Sequence, residues 1–393
     1  MRVLILEDEP SMAVLLEQLV KQLWPRAVVD LESDALSALD RWQRSGADLA
    51  LLDWELPGMS GIEVLKQIKK SGSRTLCVMV SGHADRASIL TAGAQHVDAF
   101  IVKPFDIDEV RARLLQVMAA SPPEPEPDAP TVMPTFASLE AFVLFNLTHG
   151  LPGLPIESGF VQALKGIRQL DVEGLRALLQ RSQRDPALVL RVLSLANGHG
   201  YARGPEPLET FESALRRIGL TGLVNLAVEL SLLPGSALKH DWLRAQYQAF
   251  QRDSLALAEI VKQLGADVEF DVEAARTACL LYRVGELALL QVMQAWIDLG
   301  QTLDETQGAR LLTREGARAG NQIKSQWTLP GSVRARVDAA HLLPEGTVRK
   351  EQVLMRIAGL IHSGESDQEL MRLLARLGLP DTTVERYRVA GES

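Results

Sequence analysis

The stretch Ala47-Asp48-Leu49-Ala50-Leu51-Leu52-Asp53, followed at once by Trp54-Glu55-Leu56-Pro57-Gly58-Met59-Ser60-Gly61, decides the fold of the N-terminal third. A short continuous apolar run bounded by Pro and Gly is the pattern of a strand buried on both faces of a parallel sheet. Asp53 closes that run, at the carboxyl end where open α/β sheets place their chemistry. Alone, it reads more simply as the start of a turn. The ends of the neighbouring strands change that reading.

Working outward, residues 3–6 form a short apolar strand that runs into Glu7-Asp8-Glu9. Pro10 suits the first turn of a helix carrying Val14, Leu15, Leu19 and Leu23. Residues 27–31 make a weaker strand; Ser33 reads as an N-cap, followed by a stripe of Ala35, Leu36, Leu39 and Trp42. Beyond Asp53, Ile62, Leu65 and Ile68 mark a third helix. Residues 76–80 form a strand ending at Ser81-Gly82, and Ile89 and Leu90 lie in a weaker helical segment. Residues 99–102 form a strand ending at Lys103-Pro104, and Asp106 caps a last helix with Val110, Leu114 and Val117. Strands alternating with helices at this spacing imply right-handed crossovers and a parallel sheet covered on both faces.

Parallel strands deliver their carboxyl ends to one edge. That edge collects Glu7, Asp8, Asp53, Ser81 and Lys103. Three crowded carboxylates repel one another, and Lys103 alone does not balance them. Oxygen-only ligands of this kind suit Mg²⁺, which keeps several waters and accepts phosphate oxygens. A carboxylate that attacks an anionic phosphoryl group needs such a metal to suppress repulsion. Lys103 can neutralise a second phosphoryl oxygen, and the Ser81 hydroxyl can donate to a third. The set reads as an aspartyl-phosphate site.

This pattern resembles the receiver domain of two-component response regulators, over residues 1 to about 118. The resemblance implies a flavodoxin-like (βα)5 fold with strand order 2-1-3-4-5. It implies Asp53 as phospho-acceptor, with Glu7, Asp8, Asp53 and the backbone carbonyl of Glu55 around Mg²⁺. Ser81 then matches the switch hydroxyl, Phe100 the switch aromatic, and Lys103-Pro104 the family's lysine and the proline after it. Glu7 stands where Asp is commoner, and Gly82 where Ala is common; neither removes a needed group.

Composition bounds the remaining choices. The chain has 393 residues, long enough for two or three domains. A net charge of −9 offers no global attraction for nucleic acid or an anionic membrane. The two cysteines, Cys77 and Cys279, show no ligand spacing and suggest a reducing compartment. The N-terminus reaches acidic residues too soon for a signal peptide, and no apolar run spans a bilayer. A cytoplasmic protein is expected.

Residues 120–134 form a proline-rich, acidic linker that cannot be a helix or central strand. From residue 135 to 393 the periodicity is helical. Phe160, Leu164 and Ile167 form one stripe, and Leu170-Asp171 precedes another helix. Asp185 reads as an N-cap with Pro186 at the first helical position. A helix with Leu215 and Ile218 ends near Gly219, and residues 223–233 read as a buried helix. Further helices are expected over 247–264, 272–284, 287–296 and 333–340, with two more over 352–377.

Four phrases here resemble the HDOD domain, an all-helical relative of the HD phosphohydrolases. They are Gly150-Leu151-Pro152-Gly153-Leu154-Pro155, Arg184-Asp185-Pro186-Ala187-Leu188, Leu193-Ser194-Leu195-Ala196-Asn197 and Arg217-Ile218-Gly219-Leu220. The match covers roughly residues 151–341. A metal-dependent hydrolase needs His and Asp side chains around a divalent ion. By this resemblance the family's His-Asp pair falls on Tyr282-Arg283, the upstream histidine on Asp253 and the downstream one on Gly316. His240-Asp241 lies outside the motif, and His341 stands alone near another ligand position. His83, His96, His149, His199 and His362 form no cluster in sequence.

The expectation is therefore a multidomain, non-enzymatic signalling protein, with a degenerate HD-superfamily output domain that holds no cofactor. A histidine kinase or phosphotransfer protein supplies the phosphoryl group, and the HDOD domain meets an unidentified downstream protein. Homodimerisation is left open; neither nucleic-acid binding nor membrane insertion is expected. The alternative is an HD-type phosphohydrolase acting on a nucleotide second messenger.

Overall fold

The computed structural model describes residues 1–82, 97–103, 105–120, 136–156, 160, 162–163, 166, 171–198, 200–201, 204–364, 368–379 and 386. The segment with Ile89 and Leu90, Pro104, the linker after residue 120, Leu164, Ile167, Leu170, His83, His96 and His199 lie outside the described residues. The chain divides into two compact units, Met1–Thr135 and Phe136–Ser393.

In the first unit the strands are β1 (Arg2–Leu6), β2 (Val28–Glu32), β3 (Leu49–Asp53), β4 (Leu76–Ser81) and β5 (Ala99–Val102). They form one parallel sheet in the order β2-β1-β3-β4-β5. The flavodoxin-like arrangement expected from the alternation is present. β3 and β4 are buried along their whole length, which is why they read as unbroken apolar runs. β2 lies at the edge with Val28 and Leu31 exposed, and its weaker pattern follows from that position. Leu4, Leu6, Ala50, Leu52 and Met79 face one side of the sheet, where Leu39, Leu65 and Ile68 cover them.

The helices of this unit are α1 (Pro10–Leu23), α2 (Ala35–Ser45), α3 (Gly61–Lys70) and α4 (Ile107–Ala120). Glu9 caps α1 by accepting from the N–H groups of Ser11 and Met12 at 3.1 and 2.8 Å, with Pro10 opening the helix. Two expectations for α2 are corrected. Its N-cap is Asp34, not Ser33: the Asp34 carboxylate accepts from Leu36 N and Ser37 N at 3.1 and 2.9 Å. The helix thus starts one residue later; Leu36 is exposed, because Ala35, Ala38 and Leu39 form the buried face and Leu36 lies off it. Asp106 Oδ1 accepts from Asp108 N at 2.8 Å at the start of α4.

Among its described residues the second unit is helical throughout. It comprises α5 (Leu139–His149), α6 (Val172–Ser182), α7 (Pro186–Ala196), α8 (Phe211–Ser231), α9 (Asp241–Asp267) and α10 (Glu273–Cys279). It continues with α11 (Val284–Asp298), α12 (Glu305–Gln326), α13 (Gly331–His341), α14 (Lys350–Ser363) and α15 (Gln368–Arg376). Gly219, with φ of 72°, breaks α8 where a helix end was expected.

The helix expected over 272–284 ends at Cys279, and the one expected over 287–296 starts earlier, at Val284. Three-residue turns over 280–284 end α10 and restart the chain as α11. The restart sets Gly285 against α12: a Cβ there would lie 1.9 Å from the Gly316 carbonyl oxygen. The sequence reading names no helix over 305–326, yet α12 runs there for 22 residues. Its buried face is built largely from Gly308, Gly316, Ala319 and Gly320, which carry little apolar signal but permit close helix contact.

Candidate functional site

The carboxyl edge of the first sheet gathers the expected side chains. Glu7 and Asp53 are almost fully buried, Ser81 is fully buried, and Asp8 is exposed at the rim. Lys103 Nζ donates to both Glu7 oxygens, at 2.9 and 2.7 Å, and to Asp53 Oδ2 at 2.9 Å. One oxygen from each of Glu7, Asp8 and Asp53 lies within 4.8 Å of the others. An oxygen-only set at this spacing fits a small hard cation.

Backbone bonds hold this edge in place. Trp54 N–H donates to the Val80 carbonyl at 3.0 Å, and Lys103 N–H to the Ser81 carbonyl at 2.7 Å. The Asp53 Oδ1 atom accepts from Glu55 N–H at 3.1 Å, which fixes the carboxylate against its own turn. Gly61 seals the turn from the other side. A Cβ at that position would lie 1.9 Å from the Asp53 carbonyl oxygen, so the first residue of α3 has room only for hydrogen.

The charges are strongly coupled. Burial pushes the Glu7 carboxyl up to about 8; Lys103 opposes this, and the neighbouring Asp53 charge adds to it. Burial and then Asp53 also raise Asp8. For Lys103 burial works against the charged form, but Glu7 and Asp53 outweigh it and the ammonium is stabilised. The edge is thus short of positive charge, the condition that a bound cation relieves.

Phe100 is half-buried, and its ring meets Trp54 edge-on with centroids 6.4 Å apart. The sequence reading singled out Phe100 but missed Trp54 as its partner, and missed Gly61. The signal for Trp54 was its place directly after Asp53, at the end of a strand two removed from β5.

In the second unit the positions matched to a metal site hold something else. Arg283 Nε lies 3.3 Å from Asp253 Oδ2, and its Nη1 donates to Glu286 Oε1 at 2.9 Å. His362 Nε2 lies 3.7 Å from Asp253 Oδ1. His341 stacks flat on Tyr282, with centroids 4.4 Å apart, and its Nε2 lies 3.2 Å from the Tyr282 carbonyl oxygen. Gly316 packs under the start of α11. His240 precedes α9 and gives it no side-chain cap, and His149 stacks on Phe145. Glu286 joins this cluster without having been singled out, and His362, one of the histidines without a cluster in sequence, is brought to it by the fold. Among the described residues, the one group of three or more metal-type side chains close enough to share an ion is Glu7, Asp8 and Asp53.

Three of the four motif phrases hold the local structure together. Gln326 clamps Leu151, donating to its carbonyl at 2.8 Å and accepting from its N–H at 3.0 Å. Asp185 caps α7 by accepting from Leu188 N at 3.0 Å. Asn197 bonds the carbonyls of Leu193 and Leu208 and accepts from Leu208 N, tying off the loop after α7.

Residues 3–115 match the family of response regulator receiver domains, and residues 154–343 match the HDOD domain family. The chain joins a receiver domain to an HDOD domain. Curated relatives of the receiver domain are response regulators. ArlR of Staphylococcus epidermidis is 34% identical over 122 residues, covering 30% of this chain and 53% of the relative. The sensory transduction protein RegX3 of Mycolicibacterium smegmatis is 38% identical over 118 residues, covering 30% and 50%. The chain spans about half the length of the curated relatives it matches. Among solved structures, the response regulator TrrA of Thermotoga maritima, in complex with Mg²⁺ and beryllofluoride, is 28% identical. That match covers 30% of this chain and 97% of that one, with a TM-score of 0.27. Among the described residues, no helix of either domain is long and apolar enough to cross a membrane.

Proposed function

We propose that this chain is a cytoplasmic two-component response regulator. Asp53 accepts a phosphoryl group from a histidine kinase or a phosphotransfer protein. The observation that carries this reading is Lys103, held between Glu7 and Asp53 opposite the exposed Asp8. Mg²⁺, when bound by Glu7, Asp8, Asp53 and the Glu55 carbonyl, neutralises phosphoryl oxygens and so permits attack by an anion. An Asp53 carboxylate oxygen forms the new bond to phosphorus, and the bond from phosphorus to the donor nitrogen breaks. Lys103 turns from Asp53 to a phosphoryl oxygen, and the Ser81 hydroxyl donates to another. Ser81 pairs with Val102 on β5, two residues beyond Phe100, so its movement reaches Phe100 and, through that ring, Trp54.

The HDOD domain is read as a non-catalytic protein-interaction module without a metal. Arg283 supports this, since its guanidinium bridges Asp253 and Glu286 where a hydrolase would need an ion. The net charge of −9 disfavours a nucleic-acid partner. The test is labelling of the full chain by acetyl phosphate with Mg²⁺, read as a mobility shift in a phosphate-affinity gel. The wild type shifts and Asp53→Asn does not; an Mg²⁺-dependent shift that persists in Asp53→Asn refutes the assignment.

A further inference from the structure

The HDOD half holds an open-sided cavity of about 720 Å³, between the start of α11, the middle of α12 and the end of α13. That volume lies within the range of small-molecule sites. Its walls are not those of a packing fault. Leu312, Leu342, Leu343 and Pro344 form an apolar side, and the stacked pair Tyr282 and His341 adds an aromatic one.

Two cations, Lys324 and Arg283, face this space, with Glu286 and Asp338 as their carboxylate partners. Lys324 has only 6% of its side chain exposed, whereas its carboxylate partner Asp338 is 55% exposed. Among the described residues the Lys324 ammonium has Asp338 as its one partner, so two of its three N–H donors are unspent. Arg283 is pinned by Asp253 and Glu286 through Nε and Nη1, which leaves Nη2 with no bond among the described residues. Val284, Gly285 and Glu286, the first turn of α11, also line the cavity. Glu286 is engaged with Arg283, and Asp338 stands at the solvent side where it can turn away. A buried ammonium and a pinned guanidinium therefore converge beside an apolar wall.

We propose that this cavity is a binding site for a small organic anion with an apolar body, whose acidic group replaces Asp338 at Lys324. The ligand's charge would meet Lys324 and Arg283, and its body would lie along Leu312, Leu342 and Tyr282. The proposal does not depend on phosphorylation of Asp53. It adds a second input to the chain, on the output side.

The test uses anilinonaphthalene sulfonate as the probe, titrated into the full-length protein by calorimetry well below its melting temperature. One dye binds per chain. Lys324→Met weakens binding about tenfold or more, the loss of one charge-assisted hydrogen bond. Ala317→Trp, at an exposed position on the cavity wall, blocks binding with every charge retained. Absence of saturable binding, or unchanged affinity in Ala317→Trp, overturns the site. Undiminished affinity in a Lys324→Met protein with a native circular-dichroism spectrum overturns its preference for anions.

Discussion

Lys103 grips Glu7 with both carboxylate oxygens, at 2.9 and 2.7 Å, across 96 residues of sequence. It touches the acceptor Asp53 through a single oxygen. The lysine is therefore anchored by a neighbour of the acceptor more than by the acceptor itself. It can let go of Asp53 without leaving the pocket.

Replacing this cation isolates two buried acids. Lys103→Met should slow labelling of Asp53 by acetyl phosphate about 100-fold or more, because a preorganised charge at the transferring group is lost. The initial rate in a phosphate-affinity gel measures this. Labelling at the wild-type rate would remove Lys103 from the chemistry.

The raised Glu7 carboxyl makes stability depend on pH. In the folded protein Glu7 holds its proton up to about 8, whereas the ordinary value is 4.5. Between those values the native state binds more protons than the unfolded one, so stability falls as pH rises through that window. Urea midpoints of the full chain in EDTA should decline from pH 4.5 to 8. Glu7→Gln should flatten the profile, and added Mg²⁺ should oppose the decline by favouring the charged form.

Gly61→Ala should be costly although the residue is a helix former. The added methyl would lie 1.9 Å from the Asp53 carbonyl oxygen, so the α3 start or the acceptor turn must move. A loss of about 3 kcal/mol in urea unfolding is expected, the upper end for overpacking. Wild-type stability in this variant would mean that the turn is soft.

Arg283 is the internal cation of its cluster. Arg283→Ala leaves Asp253 and Glu286 without it and should cost about 2 kcal/mol, discounted because the site is partly open to solvent. Elemental analysis of the wild-type chain should find no stoichiometric transition metal. One tightly held metal per chain would reverse the non-enzymatic reading of the HDOD domain.

The first sheet was legible because its buried strands are unbroken apolar runs that end in chemically distinct residues. Asp53, Ser81 and Lys103 could be placed from those ends alone. What escaped was contact that no periodicity encodes: Trp54 against Phe100, and Gly61 against the Asp53 carbonyl. Asp34 rather than Ser33 caps α2 because adjacent Ser and Asp offer equivalent cap side chains, and the expected stripe includes Leu36 although it lies beside the buried face of Ala35, Ala38 and Leu39. In the HDOD half the leucine-rich helices were plain, while α12 was hard to read because glycine, alanine and a lysine interrupt the apolar stripe of Leu311, Leu312 and Ile323 on its buried face. The cluster around Arg283 draws on α9, α11 and α14, so its members, Asp253, Glu286 and His362, lie far apart along the chain.

Gln326 reaches Leu151 from 175 residues downstream and satisfies both of its backbone groups. On the ribosome, then, the opening of the HDOD half emerges long before the amide that secures it. The receiver unit draws only on strands and helices made before residue 121 and can close early, whereas the helical half must hold its first segment unsecured until α12 is made. Truncations that stop short of residue 326 should expose that segment to proteases while leaving the sheet intact.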